Sequence, residues 1–335
     1  MTAPDAAVSG RKWRVGIVGA GKIATDMHIP VLCTMSDVEI SWILDSDRAR
    51  ASSIANAFGT KGIGHITEAT PVDIALLAIP IPPRAEYFEH FAAHGTAVFA
   101  EKPLAVSAAD HSALMVKFED WQLSVGFQRR SYASSEFLRR VLQDEIFGKP
   151  ERIRIREGSR TTKTGEYGQF QDLPVSEGGG ISTNLGCHSL DLAIFLFGAS
   201  RYEIVEKSIA WDEDTDRRAR ASIILDRPGD APGKCLLDWE VSWIDHEPNT
   251  MEIVLPSAIV VAPISPTASV KLLSLDRQLI ATIDVMGRSG AVSIEQAFYL
   301  EWRSALAALA TRTASPFSAS SALLTAQLVD DLLAE

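Results

Sequence analysis

The chain has 335 residues, of which 46% are hydrophobic and 22% charged, as expected of a globular protein with room for two domains. Its 43 acidic residues outnumber the 32 basic ones and no stretch is rich in Lys and Arg, so nucleic acid and anionic membranes are not expected partners. The three cysteines have no CxxC spacing and no apolar run approaches the ~20 residues that span a bilayer, which predicts a cytoplasmic protein without a bound metal.

Residues 1–11 lack the apolar stretch of a secretory signal, and we expect a flexible tail there. Residues 12–127 alternate short apolar runs with segments of helical spacing. The runs are WRVGIV (13–18), VEISWIL (38–44), DIALLAI (73–79), AVFAE (97–101) and LSVGF (123–127). Strands that alternate with helices predict βαβ units, and runs that are apolar throughout predict strands covered on both faces. We therefore expect an α/β domain built on a doubly wound parallel sheet.

The pattern changes at residue 128, where we place the start of a second domain, 128–335. Ile153 and Ile155 alternate with arginines, which predicts a half-exposed strand. Six further extended runs, separated by turns, begin at residues 202, 218, 234, 250, 258 and 269. They predict an α+β domain with a large, mostly antiparallel, open-faced sheet. The helical segment 318–335 is expected to pack back toward the first domain.

The stretch GAGKIA (19–24) lies between the first strand and a helical segment, the context that a G-x-G-x-x-[GA] phosphate-binding turn requires. Gly19 permits the tight turn, Gly21 lets the backbone approach a pyrophosphate, and Ala24 allows close packing of helix on strand. The helix N-terminus, with Lys22 and Ile23, offers N–H donors to the phosphates. A purely structural βα turn is the alternative.

Asp45 ends the second strand, 21 residues after Ala24. A carboxylate at this place accepts hydrogen bonds from the hydroxyls of the adenosine ribose and repels a 2′-phosphate. The sequence therefore predicts a dinucleotide-binding Rossmann domain over residues 12–127, with NAD preferred to NADP as the cofactor.

Two further strands end in residues that we expect to line the cofactor crevice, because ligands of open α/β sheets bind beyond the carboxyl ends of the strands. One strand runs through Ile79 into Pro80 and a rigid proline segment. The other runs into Glu101, Lys102 and Pro103, and the proline favours an extended chain at Lys102. A lysine at a strand end is most often only solvated.

These motifs resemble the glucose–fructose oxidoreductase/inositol dehydrogenase family, known as Gfo/Idh/MocA. The EKP sequence at 101–103 follows the glycine turn by about 80 residues, and residues 178–191 resemble the family's GGG…D-x-G-x-H-x-x-D segment. His28-x-Pro30 and GFQRR (126–130) also match in place and order. The resemblance implies a hydride-transferring dehydrogenase, dependent on NAD, that acts on a secondary alcohol of a sugar, sugar nucleotide or cyclitol. It also implies a homodimer or homotetramer formed through the open sheet.

The resemblance further implies that Lys102 is the main acid/base and that His188 assists it. The chemistry agrees, since hydride leaves a carbon only as the proton of its hydroxyl departs, and a base must stand within hydrogen-bond reach. Histidine already titrates near neutral pH.

Helical spacing places Asn184, His188 and Asp191 on one face, because they are four and three residues apart. His188 is then either catalytic or a core histidine bonded to Asp191. Position 184 is a departure from the family, which more usually has aspartate there. Asparagine cannot stabilise an imidazolium as a carboxylate does, but it can hydrogen-bond a substrate hydroxyl. We expect Asn184 and Asp191 to contact the substrate.

The remaining candidates are Gln128 at the cofactor, and Arg129 and Tyr167 at the substrate; each is equally compatible with a surface position. Two alternative functions stay open. One is a glycosidase of the same family that oxidises carbon 3 transiently with tightly held NAD. The other is a non-catalytic NAD-binding regulator, for which nothing requires a proton acceptor at Lys102.

Overall fold

A parallel six-stranded sheet forms the centre of the N-terminal unit. The computed structural model describes residues 12–160, 173–229, 232–286 and 290–334. Within them, the N-terminal unit comprises residues 12–105, 109–126 and 298–321. Its strands are β1 (Trp13–Val18), β2 (Val38–Leu44), β3 (Lys61–Ile63), β4 (Ile74–Leu77), β5 (Ala97–Glu101) and β6 (Leu123–Gly126). They pair in parallel in the order β3-β2-β1-β4-β5-β6, which confirms the predicted doubly wound sheet.

Helices follow four of these strands. They are α1 (Ile29–Cys33), α2 (Arg48–Ala57), α3 (Arg84–Ala93) and α4 (Ala108–Met115). The Asp47 carboxylate caps α2 by accepting hydrogen bonds from the backbone N–H groups of Ala49 and Arg50. Strand residues such as Ile17 and Leu76 are fully buried, as the continuous apolar runs predict for strands covered on both faces.

An eight-stranded sheet forms the centre of the C-terminal unit, which comprises the described residues of 106–108, 127–297 and 322–334. Its strands are β7 (Arg152–Gly158), β8 (Arg201–Asp212), β9 (Thr215–Arg227), β10 (Gly233–Ser242), β11 (Thr250–Val254), β12 (Ile259–Pro263), β13 (Ser269–Leu273) and β14 (Leu279–Asp284). The order is β14-β13-β12-β11-β7-β10-β9-β8, and only β7 and β10 pair in parallel. The predicted mostly antiparallel sheet is confirmed.

One face of this sheet is buried and the other is exposed, as the alternation of isoleucine and arginine in β7 predicts. Ile153 and Ile155 are fully buried on the face that packs against helices. The helices of this layer are α5 (Ala133–Gln143) and α6 (Cys187–Phe197), and α6 packs directly on β7, β9 and β10. The opposite side chains of β7 are partly or fully exposed arginines.

Ion pairs connect neighbouring strands across that exposed side, which we call the charged face. Arg152 pairs with Asp238 at 2.6 Å, Arg218 and Arg220 with Glu240 at 2.7 and 2.6 Å, and Arg154 with Glu252 at 3.7 Å. Positive and negative side chains therefore alternate from β11 through β7 and β10 to β9. Exposed pairs of this kind contribute little to folding stability.

Two strands were not predicted. β3 has only three residues, too few for a periodic pattern, and β14 is an edge strand with largely exposed side chains. The last two helices described are α7 (Ile294–Thr311) and α8 (Ala319–Leu333), and α8 lies within the helical segment 318–335 that the sequence predicts. Residues 1–11 and Tyr167 lie outside the described residues. Of the helices in the described ranges, none is both long enough and apolar enough to span a membrane.

Candidate active site

The glycine turn at the end of β1 has the geometry that only glycine permits. Gly19 has a φ of +102°, and a Cβ at this position would lie 2.4 Å from the carbonyl oxygen of Ala78. The same Cβ would lie 2.7 Å from Cγ2 of Ile79. The turn is thus packed directly on the chain that leaves β4, so two of the predicted crevice segments meet in this unit.

The next glycine faces open space. A Cβ built on Gly21 would have no atom within 4 Å, Lys22 and Ile23 are exposed, and Ala24 is fully buried. Close backbone approach of a pyrophosphate at Gly21 is therefore sterically possible, and the residues present fit a dinucleotide. The helix that follows starts with a π turn at Ala24–His28 instead of the regular α-helix that the motif predicts.

Asp45 is held rigidly beside this turn. Its Oδ2 accepts a hydrogen bond from the backbone N–H of Ala20 at 2.9 Å, and its Oδ1 accepts one from the N–H of Asp47 at 2.9 Å. The exposed Arg50 guanidinium lies 3.9 Å from Oδ1. A carboxylate has about four acceptor positions, so two stay available for ribose hydroxyls.

Arg84, the first residue of α3, ties together the ends of β4 and β5. Its Nε and Nη2 donate to the carbonyl oxygen of Ile79 at 2.9 and 2.8 Å. Its Nη1 donates to the carbonyl oxygens of Glu101 and Pro103 at 2.6 and 2.5 Å. The side chain is almost fully buried, and this burial lowers the pKa of its guanidinium to about 10 although the Glu101 carboxylate opposes the shift.

Glu101 is the second charged group at this strand end. Nε2 of His28 lies 2.8 Å from its Oε1, and Nδ1 of His28 accepts a hydrogen bond from the Trp302 indole at 3.0 Å. Burial opposes ionisation of the Glu101 carboxyl, but the bond from His28 and the positive charges of Lys102 and Arg84 outweigh it and hold its pKa below the usual range. Lys102 follows at the end of β5 and is half-buried.

The candidates of the C-terminal unit lie around the start of α6. His188 is 7% exposed. Its ring makes an edge-to-face contact with the ring of Phe127, and the two centroids are 5.9 Å apart. Asn184 is half-buried and belongs to a π turn, Ser182–Gly186, that precedes α6. The simple helical spacing used to place Asn184 and His188 on one face therefore does not describe this segment.

Two arginines of the short 3₁₀ turn Gln128–Ser131 form buried ion pairs. Arg129 makes a two-point bond to Glu157, at 2.8 and 2.6 Å. Arg130 makes a similar pair with Asp191, and the Thr325 hydroxyl donates to Asp191 at 3.2 Å. Gln128, in the same turn, is half-buried.

Asp216 fixes the chain just before α6. Its Oδ2 accepts a hydrogen bond from the backbone N–H of Ser182 at 2.9 Å. Gly180 has a φ of +85°, and a Cβ there would lie only 1.8 Å from Oδ1 of Asp216. The last glycine of the GGG motif is therefore required by the close approach of this carboxylate. Burial raises the pKa of Asp216 although hydrogen bonds from Ser182 oppose the shift.

The predicted residues that the structure describes fall into two groups, one in each unit. The first, in the N-terminal unit, is Gly19, Gly21, Lys22, Ile23, Ala24, Asp45, Ile79, Pro80, Glu101 and Lys102. The second, in the C-terminal unit, is Gln128, Arg129, Asn184, His188 and Asp191. Sequence reasoning missed Arg84, Trp302 and Asp216, which no motif marks. Across the described ranges, no three His, Cys, Asp or Glu side chains are arranged to hold a metal ion.

Known proteins share both the sequence pattern and the fold. Residues 13–127 match the GFO_IDH_MocA model, which describes an oxidoreductase family with an NAD-binding Rossmann fold. The chain is 27% identical over 223 residues to inositol 2-dehydrogenase of Rhizobium meliloti and 25% identical over 202 residues to D-glucoside 3-dehydrogenase of Escherichia coli. These alignments cover 65% and 57% of this chain, and the chain spans only 61% and 56% of the two relatives.

A solved structure matches almost the whole chain. The 3-ketoreductase KijD10 from Actinomadura kijaniata, in complex with NADP and TDP-benzene, superimposes with a TM-score of 0.80. The match covers 96% of this chain and 97% of that one at 19% identity, which shows a common fold. The N-terminal unit is an NAD(P)-binding Rossmann domain. Residues 13–127 therefore carry the NAD-binding fold of the Gfo/Idh/MocA oxidoreductase family.

Proposed function

We propose that the protein is a dehydrogenase that transfers hydride between a secondary alcohol of a sugar, sugar nucleotide or cyclitol and a nicotinamide. The main support is the way Arg84 holds the chain on both sides of Lys102, through the carbonyl oxygens of Glu101 and Pro103. A proton-transferring group must be fixed within hydrogen-bond reach of the substrate hydroxyl. The buried guanidinium of Arg84 serves this requirement because it fixes the backbone that carries Lys102.

Each residue has a role in this proposal. NAD+ supplies the hydride acceptor, and Gly21, Lys22 and Ile23 bind its pyrophosphate through the backbone. Lys102 removes the proton of the substrate hydroxyl. His188 binds and polarises the same oxygen.

Two of the predicted substrate contacts take a supporting role in the proposal. Asp191 and Arg129 are buried and bonded to Arg130 and Glu157, respectively, so they hold the segments that carry Gln128 and His188. Asn184 is half-buried and contacts the substrate as a hydrogen-bonding amide. Tyr167 and Gln128 stay proposed contacts to the substrate and the cofactor.

NAD is the proposed cofactor rather than NADP. Asp45 is fixed by two backbone N–H groups, so its charge cannot easily move away from a 2′-phosphate. The exposed Arg50 lies 3.9 Å from Oδ1 of Asp45 and 3.8 Å from Oδ2 of Asp47, too far to hold the Asp45 carboxylate by a hydrogen bond. The unfavourable carboxylate–phosphate contact thus favours NAD.

The proposed substrate carries a secondary hydroxyl on a six-membered ring. Inositol 2-dehydrogenase and D-glucoside 3-dehydrogenase are each named for a reaction at such a ring carbon. The 3-ketoreductase KijD10 was solved with a TDP derivative, so activated sugars belong in the same set. We further propose a homodimer or homotetramer in which the charged faces of two copies meet, since their alternating charges are self-complementary.

The test is reduction of NAD+ or NADP+, followed at 340 nm, with free sugars, inositols, sugar phosphates and nucleotide sugars. Lys102→Ala is measured beside the native protein, and we expect turnover to fall about 10²- to 10⁴-fold with the productive substrate. NADH formation that persists in Lys102→Ala would contradict the role of the lysine. Sugar release without net NADH would favour the transient-oxidation glycosidase, and NAD binding without any turnover would favour the regulator.

A further inference from the structure

Four residues of the N-terminal unit are linked by hydrogen bonds to the chain on either side of Lys102: Arg84, His28, Trp302 and Glu101. We call them the Glu101 network, and we propose that they position Lys102 for proton transfer, an inference that rests on the proposed dehydrogenase function. None of the four belongs to the glycine turn, and Trp302 comes from α7, far along the chain. Their hydrogen bonds lead from α7 to the strand end that carries the lysine.

Arg84 forms the backbone part of the network. Peptide carbonyl groups buried at a strand end need hydrogen-bond donors, and this guanidinium supplies them on both sides of Lys102. Leaving a guanidinium buried is unfavourable unless its donors are used and its charge is balanced. Here four donor–acceptor contacts reach Ile79, Glu101 and Pro103, and the Glu101 carboxylate balances the charge.

His28 and Trp302 form the side-chain part. An indole N–H can only donate, so Nδ1 of His28 must be an unprotonated acceptor. The proton of the neutral ring then resides on Nε2, from which it is donated to Oε1 of Glu101. Trp302 requires Nδ1 to accept, and the ionised Glu101 carboxylate requires Nε2 to donate, so both partners of His28 select the same tautomer.

Aromatic packing holds the two rings in place. The Trp302 ring stacks on Phe99 with centroids 4.7 Å apart and planes inclined by 17°. The edge contact between His28 and Phe298 has a centroid distance of 4.9 Å. His28 is fully buried, so no water can replace the indole as the donor to Nδ1 without repacking of the core.

The consequence concerns the lysine itself. A lysine side chain has four rotatable carbon–carbon bonds and holds a position only when its surroundings restrict them. The network fixes the backbone before and after Lys102 and keeps an anionic neighbour in one place. A displacement of the catalytic group by about 1 Å can cost on the order of a hundredfold in rate. Disturbing the network should therefore lower kcat more than it alters cofactor binding.

The experiment uses Trp302→Phe, which keeps a ring against Phe99 but removes the N–H donor together with one ring of the indole. The matched control is Trp42→Phe, because Trp42 is also a buried tryptophan of this unit whose indole bonds to a carbonyl, that of Thr70, at 2.9 Å. Long-range ¹H–¹⁵N spectra of the histidine rings, without any cofactor, report the tautomer of His28. The His28 signals are identified by their absence from His28→Gln.

We expect the native protein and Trp42→Phe to show His28 protonated on Nε2, with the same Nδ1 resonance. Trp302→Phe should shift the Nδ1 resonance, because that nitrogen loses its hydrogen-bond donor. We expect kcat of Trp302→Phe to fall roughly tenfold or more, with the NAD+ dissociation constant unchanged within about twofold. His28→Gln, whose amide can still donate to Glu101, should retain more activity than His28→Leu.

An unchanged Nδ1 resonance of His28 in Trp302→Phe would overturn the proposal. A loss of kcat in Trp42→Phe as large as in Trp302→Phe would also overturn it, because a general loss of packing would then explain both. Failure of the proposed function is distinguishable: it appears as full turnover in Lys102→Ala or as no turnover of the native protein. The tautomer of His28 is measured independently of either result.

Discussion

Arg130 and Asp191 form a two-point ion pair inside the C-terminal unit, where their side chains are 2% and 1% exposed. Thr325 of α8 donates to the same carboxylate. The pair thus connects the 3₁₀ turn after β6, the helix of His188 and the last helix of the chain. Ion pairs this deeply buried are costly to break from one side only, because the remaining charge stays in the core.

Asp191→Asn should therefore destabilise the protein by about 3 to 5 kcal/mol. Thr325→Val, which removes one hydrogen bond and leaves the ion pair, should cost only about 1 to 2 kcal/mol. The measurement is the free energy of unfolding from urea denaturation. Equal losses in the two variants would show that the ion pair contributes no more than the hydroxyl.

Asp45→Asn should weaken NAD+ binding roughly tenfold, since a charge-assisted hydrogen bond to the ribose becomes a neutral one. Binding of NADP+ should change little or improve, because the repulsion of the 2′-phosphate is removed. Titration calorimetry with both cofactors measures this. The control is Asp47→Ser, which keeps a helix-capping oxygen two residues away. A loss of NADP+ affinity equal to that of NAD+ would assign Asp45 a purely structural role.

Gly180→Ala should be strongly destabilising for two reasons, the positive φ of +85° and the predicted 1.8 Å contact of its Cβ with Asp216. Gly229→Ala separates these reasons, because Gly229 has a φ of +108° and open space around its Cβ. We expect about 1 kcal/mol for Gly229→Ala and at least twice that for Gly180→Ala, by thermal or urea unfolding. Similar values would mean that the chain around Asp216 adjusts without cost.

The raised pKa of Asp216 makes stability depend on pH in a defined direction. Between the unfolded and the folded pKa the native state binds more protons than the unfolded state, so stability falls as the pH rises through this window. The contribution is favourable below the unfolded value of about 4 and is lost above the folded value. Asp216→Asn cannot ionise, so it should gain stability relative to the native protein as the pH rises from 4 to 7. A difference independent of pH would show that Asp216 titrates normally.

Arg154→Glu should weaken the proposed association of two copies. Arg154 lies 3.6 Å from Asp238 and 3.7 Å from Glu252, so reversal places three negative charges together on the charged face. Size-exclusion chromatography with light scattering should show a smaller species, and salt should also promote dissociation. Arg48→Glu reverses an exposed charge of the N-terminal unit and serves as the control. An unchanged mass in Arg154→Glu would place the interface elsewhere.

The sequence predicts much of the fold because burial imposes visible periods. The continuous apolar runs at 38–44 and 97–101 coincide with β2 and β5, and the alternation of Ile153 and Ile155 marks one buried face. The glycine turn is equally visible, since the positive φ and close contacts of Gly19 require glycine. Local rules fail at the π turn before α6, because an extra residue per turn leaves no signature in the pattern of apolar residues.

The sequence predicts less of the candidate site than of the fold. Arg84 begins an ordinary amphipathic segment and gives no sign that it is buried. Trp302 contacts His28 across 274 positions, and Asp216 contacts Ser182 across 34, so neither partner can be inferred from local spacing. Side chains that support a site through distant contacts need the tertiary structure, whereas the turn that binds phosphate is local.

The return of residues 298–321 to the N-terminal unit affects the order in which the chain matures on the ribosome. The first sheet is complete in sequence by Gly126, yet Trp302 is made only after the whole C-terminal sheet has been synthesised. Until then the imidazole of His28 has no indole donor, and the aromatic face of Phe99 lacks its cover. The core of the nascent Rossmann unit therefore closes only after residues 298–321 have been synthesised, and a chain truncated near residue 297 should bind chaperones.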